Sequence, residues 1–122
     1  HNCTESILHG IKNCGIMDIP DELLKIGTGF RAGIAGSGCV CGVLSAAVII
    51  LGLKYGRKDK FVSSKPVDEK VKLFYDIFVN KYKSTCCRVI TRKFKENFTS
   101  QERKNFCAEI VLEMSEELEK IL

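Results

Sequence analysis

Seven cysteines are the residues of this 122-residue chain that could do chemistry: Cys3, Cys14, Cys39, Cys41, Cys86, Cys87 and Cys107. Thiolates ligate iron and zinc, and pairs of thiols exchange with disulfides. The number is odd, so complete pairing within one chain is impossible. Seven in 122 is about 6 %, below the roughly 8–10 % of a disulfide scaffold. No CxxC occurs, which removes the strong spacing signals of zinc ribbons and thioredoxin-like motifs. No CxxCH occurs either, so covalent c-type haem is not expected. The two histidines, terminal His1 and His9, do not indicate a Cys/His catalytic dyad.

Spacing limits how many thiols can share one centre. Cys39 and Cys41 on a regular helix would point about 200° apart, so both could hardly serve it. In the vicinal pair Cys86–Cys87 one side chain is expected to face in and the other out. Cys107 falls on an apolar stripe, and Cys3 shares a face with Ile7 and Ile11. One inward thiol per segment would let four segments deliver sulfur to the core. The competing explanation is plain packing, because free cysteine behaves as a small, readily buried hydrophobe.

The elements that must position these thiols read as helices throughout, with no convincing strand alternation. Asn2 to Cys14 places Cys3, Ile7, Ile11 and Cys14 at helical spacing. Pro20, Asp21 and Glu22 open a second segment running through Leu23, Leu24, Ile26 and Phe30. A third helix is expected over Cys39–Tyr55 with Gly56 as its C-cap. Residues 57–65 are a charged linker. Pro66 opens a fourth helix whose stripe is Val67, Val71, Phe74, Phe78 and Tyr82, and a short piece follows Cys87. Thr99-x-x-Glu102 is a capping-box pattern before a last helix striped by Cys107, Ile110, Val111, Met114, Leu118 and Ile121. The expectation is an all-α, single-domain bundle of about five helices over residues 1–122.

Several function classes fall away. A helix over Cys39–Tyr55 would span about 26 Å, short of the ~30 Å hydrocarbon core, so a buried central helix is expected rather than a membrane span. Gly27 to Gly33 reads GxGxxxG with no preceding strand, which is neither a dinucleotide fingerprint nor a P-loop. Its glycines suit sharp turns, close backbone approach, or amides that donate to sulfur. A net charge of +4 forces no nucleic-acid partner. The charges are nonetheless uneven: Lys81, Lys83, Arg88, Arg92, Lys93 and Lys95 lie in a run without an acid, and Glu109, Glu113, Glu116, Glu117 and Glu119 crowd the last helix. A solvated face accounts for the basic run as well as a site does. With no secretory leader in view, the expected compartment is the reducing cytoplasm, with thiols free or cofactor-bound.

Four pieces of the chain, in order, resemble the small redox-active proteins named for their C-GCAxxG-C-C cysteine pattern. These are Asn2-Cys3 at a helix head, the stretch from Cys41-Gly42-Val43-Leu44-Ser45-Ala46 to Leu51-Gly52-Leu53-Lys54-Tyr55-Gly56-Arg57, then Cys87-Arg88, and Phe106-Cys107 before an acidic helix. The chain departs from the pattern in carrying Val43 for alanine and Ala46 for glycine, and Cys14, Cys39 and Cys86 are extra. The resemblance implies redox activity through Cys3, Cys41, Cys87 and Cys107, with an iron–sulfur cluster on those four as the first expectation. The second is a metal-free thiol–disulfide protein or sensor. Its nucleophile would be Cys41, at a helix N-terminus, or Cys87, among Arg88, Arg92 and Lys83. The third is a structural zinc or interaction module. Another redox protein is the expected partner, and a homodimer is compatible with the sequence.

Overall fold

Helices form where apolar period and end signals agree. The computed structural model, which describes residues 1–122, has six α-helices and two 3₁₀ turns. Helix α1 (Cys3–Asn13) starts at a reciprocal cap. The Asn2 side-chain oxygen accepts the Glu5 N–H at 2.9 Å, and the Glu5 carboxylate accepts the Asn2 N–H at 3.0 Å. Helix α2 (Asp21–Leu24) runs into a 3₁₀ turn, Lys25–Phe30. Helix α3 is Gly42–Tyr55, and Gly56 ends it with its N–H on Gly52 O. Helix α4 (Lys65–Tyr82) carries Pro66 in its first turn, where no intrahelical donor is lost. A one-turn helix, α5 (Cys87–Ile90), and a second 3₁₀ turn, Arg92–Phe94, lead to helix α6 (Gln101–Ile121).

Helix α3 is the centre. It is apolar nearly all round, as a helix surrounded by others must be, and it packs against α1, α4 and α6. Val43, Ala46, Ala47, Ile50 and Leu51 are wholly buried there. Around them lie Ile7, Leu8 and Ile11 of α1, Phe74 and Phe78 of α4, and Ile110, Met114 and Leu118 of α6, in one continuous core. No helix is long and apolar enough to cross a membrane.

Three expectations are corrected. Helix α3 begins at Gly42 rather than Cys39, because Val40 is held extended by an antiparallel bridge to Cys86. In that bridge Cys41 N–H donates to Thr85 O at 2.8 Å and Cys87 N–H donates to Cys39 O. The last helix is capped one residue later than Thr99: the Ser100 hydroxyl accepts the Arg103 N–H at 3.2 Å. Cys14 does not join the inward face of α1. It is the C-cap residue, where the chain leaves the helix, and it is exposed.

Candidate redox site

The N-terminal end of α3 is where chain segments distant in sequence meet. One open cavity of about 580 Å³ there is lined by Cys3, Cys41, Cys87 and Cys107 together. Cys3 comes from the first turn of α1, Cys41 from the residue before α3, Cys87 from the start of α5, and Cys107 from the second turn of α6.

Cys3 is placed by its neighbours. Asn2 Nδ2 donates to Gly27 O at 3.2 Å and Thr28 O at 3.3 Å, tying the head of α1 to the 3₁₀ turn. The buried Thr4 hydroxyl donates to Gly42 O at 2.7 Å, tying it to α3. At that crossing an added Cβ on Gly42 would lie 2.7 Å from Thr4 Oγ1 and 3.3 Å from Cys3 Cβ, so the approach needs glycine. Val43 and Ala46 are both fully buried; the bulk added at Val43 lines the cavity beside Gly42, and that at Ala46 lies in the core behind it.

Cys41 and Cys87 are brought together by the Val40–Cys86 bridge. Extended backbone alternates its side chains, so the bridge sends Cys41 and Cys87 to one face and Val40 and Cys86 to the other. The bridge is backed by residues 32–36, which run left-handed: φ is +48° at Ala32, +74° at Gly33, +71° at Ile34, +48° at Ala35 and +81° at Gly36. Three of these are not glycine, each at a cost of about 1–2 kcal/mol. The turn brings Gly33 so close that an added Cβ would lie 2.5 Å from Cys39 N and 2.9 Å from Cys87 Cβ. Amides of this glycine-rich loop do not serve sulfur. Gly36, Gly38 and Cys39 donate to Arg31 O, Ala32 O and Gly33 O at 2.9, 3.0 and 2.9 Å. The amides that do reach the Cys41 sulfur belong to Val43 and Leu44, in the first turn of α3.

Electrostatics separate the thiols. Burial pushes the Cys41 thiol up to about 11 and outweighs those two amide donors, so Cys41 is not the activated thiol that a helix N-terminus suggests. Cys3 is also held protonated, first by its hydrogen bond to Cys107, then by burial, then by the nearby Cys107, Cys41 and Cys87 sulfurs. Cys107 moves the other way, down to about 7: the Cys3 hydrogen bond favours its thiolate and the Arg103 guanidinium adds to this, against some burial.

Arg103 is a candidate site residue that the cysteine pattern does not point to. Its Nη2 lies 3.8 Å from Cys87 Sγ, its guanidinium sits over the Phe98 ring at 3.8 Å, and its Nε is buried with no acceptor. The available signal was its position four residues before Cys107, one turn away on the same helix face. Arg31, Arg103 and Lys104 are the charged side chains of the cavity wall apart from the thiols, and no Asp or Glu lines it. Cys14, Cys39 and Cys86 stay outside. His1 lines the cavity and stacks on His9, with ring centroids 4.3 Å apart. No group of three or more His, Cys, Asp or Glu side chains is arranged so that it could hold a metal ion.

The family model described as Putative redox-active protein (C_GCAxxG_C_C) matches residues 1–121. The chain belongs to this family. The C_GCAxxG_C_C match runs through all four elements that carry the cavity thiols. No curated protein and no solved structure matches the chain.

Proposed function

We propose that this protein is an electron carrier in which Cys3, Cys41, Cys87 and Cys107 hold an iron–sulfur cluster. The observation that carries the reading is the composition of one cavity wall: four thiols from four segments, three cationic side chains and no carboxylate. Several features fit such a group. Four thiolates are its usual donor set. A cluster held by four thiolates is anionic, which suits the excess of cations. The buried Arg103 Nε lacks an acceptor, and amides aimed at a ligand sulfur are the usual protein contribution to such centres. The cluster, when bound, supplies one-electron transfer. The chain's own residues do the rest. The Val43 and Leu44 amides and Arg103 stabilise negative sulfur, while Gly42 and Gly33 let three backbone segments approach.

Protein purified or reconstituted without oxygen is expected to be brown, with broad charge-transfer absorption, stoichiometric iron and acid-labile sulfide. Alanine at any of the four cysteines should remove most of the iron, and alanine at Cys14, Cys39 or Cys86 should leave it. Absence of iron after anaerobic reconstitution would refute the reading.

One observation favours a second reading, thiol–disulfide exchange. The Cys3–Cys107 hydrogen bond pairs a thiolate available near neutral pH with a protonated thiol beside it. In that chemistry the Cys107 thiolate attacks a substrate disulfide and expels one thiolate. The Cys3 sulfur then attacks Cys107 Sγ, its proton goes to a departing thiolate, and a Cys3–Cys107 disulfide forms as two substrate thiols leave. Reversible loss of two titratable thiols in iron-free protein supports it. A structural zinc on the same four thiols has no separate observation in its favour, and metal analysis of the purified protein distinguishes it from the cluster.

A further inference from the structure

We infer that the surface beside the thiol cavity docks an acidic redox protein; this rests on the redox reading above, whichever of its two forms holds. A shallow recess of about 450 Å³ adjoins the cavity, its apolar floor made by Val89, Ile90 and Phe106 and its edge by Arg92 and Lys93. Ile90 is common to recess and cavity. Between Cys87 and Lys104 the chain carries six cations, Arg88, Arg92, Lys93, Lys95, Arg103 and Lys104, against Glu96 and Glu102. None of the six enters an ion pair, whereas Lys12, Lys25, Lys65, Lys72, Lys81 and Lys120 all do.

The acids that might have neutralised this face lie farther along α6, at Glu109, Glu113, Glu116, Glu117 and Glu119. The face beside the thiols therefore carries positive charge without ion-pair partners, and a second unpaired group, Arg57, Lys58 and Lys60, lies in the linker past the other end of α3. A small, partly exposed apolar floor, open at Val89 and half-buried at Ile90 and Phe106, with a charged edge is the make-up of a transient protein interface, and complementary charge accelerates encounter.

Single-stranded nucleic acid fits less well. Base stacking needs free aromatic faces, and here Lys93 covers Phe106 at 4.4 Å and Phe94 at 5.2 Å while Arg103 covers Phe98. A partner that exchanges electrons must also bring its own redox group close to the sulfurs, which this recess permits.

The test uses an acidic flavodoxin as probe and a basic cytochrome c as the sign-reversed control, at about 10 mM ionic strength, where surface charges act over ~30 Å. Calorimetry and NMR perturbation are run on both iron-loaded and iron-free protein, so that an absent cluster is recorded by iron content and not by binding. Flavodoxin is expected to bind, to perturb Val89, Arg92 and Lys93, and to bind about tenfold more weakly to Arg92→Glu/Lys93→Glu. The same charge change at Lys58→Glu/Lys60→Glu, in the linker at the far end of α3, should have little effect. No flavodoxin binding, equal weakening by the two double variants, equal binding of cytochrome c, or tighter binding of a single-stranded oligonucleotide or of phosphatidylserine vesicles would each overturn the proposal.

Discussion

The two ends of α3 are built by different physics. Towards its C-terminal half, Ile50 and Leu51 share one core with Phe74 and Leu118, all fully or almost fully buried, and regular helices do the positioning. At its N-terminal end, the thiols are positioned by a cap at Asn2, a hydroxyl–carbonyl bond from Thr4, a single β-bridge and a left-handed loop. The apolar half supplies stability through area removed from water. The thiol end spends some of that stability on strained backbone and on thiols kept close together, as functional sites commonly do. Each end should therefore fail in its own way when altered.

The largest effect is expected in the apolar half. Phe74→Ala should destabilise by about 3–5 kcal/mol, from lost burial and the cavity left behind, as read from the midpoint of urea unfolding. Thiol titration below that midpoint should be unchanged if the two ends are separable. Gly33→Ala comes next, at about 3 kcal/mol, because it adds a side chain at φ +74° and drives it into Cys39 N and Cys87 Cβ. Its particular mark would be displaced Cys41 and Cys87, seen as altered iron binding, in protein that remains helical by circular dichroism.

Cys3→Ala should leave stability nearly unchanged while altering chemistry. It removes the donor that lowers Cys107, so in iron-free protein the Cys107 thiol should rise from about 7 towards its ordinary 9.0. The thiolate fraction at pH 7 would then drop from about half to about 1 %, and, because the more basic thiolate is the better nucleophile, alkylation of Cys107 at that pH should slow by about five- to eightfold. In the unaltered protein the Cys107 alkylation rate should climb with pH through a midpoint near 7, whereas Cys41 should stay largely unreactive until pH approaches about 11. Coincident profiles for the two would contradict the separation of roles. The smallest change is Thr4→Val, which removes one buried hydrogen bond to Gly42 O and should cost about 1 kcal/mol. A shift of the Cys107 profile in this variant would show that the Thr4 bond positions the thiol as well as α1.

Much of this was legible in the residues themselves. The apolar periods of α1, α4 and α6, the proline at the head of α4 and glycine at the end of α3 set the helices by local rules, because each depends on residues within one or two turns. The same periods place Cys3 and Cys107 on inward faces, and the cysteine pattern selects Cys41 and Cys87. What local rules could not supply was how the thiols at positions 39–41 and 86–87 divide. A bridge between residues 46 apart in sequence turned an expected helical start into extended chain, and only that long-range pairing put Cys41 beside Cys87. Likewise, thiol acidity was decided by tertiary contact. The amides that approach Cys41 favour its thiolate, but burial removes the water that would stabilise the charge. Cys107 instead gains a donor from a helix some hundred residues away, so proton affinity depends on neighbours that the chain order does not name.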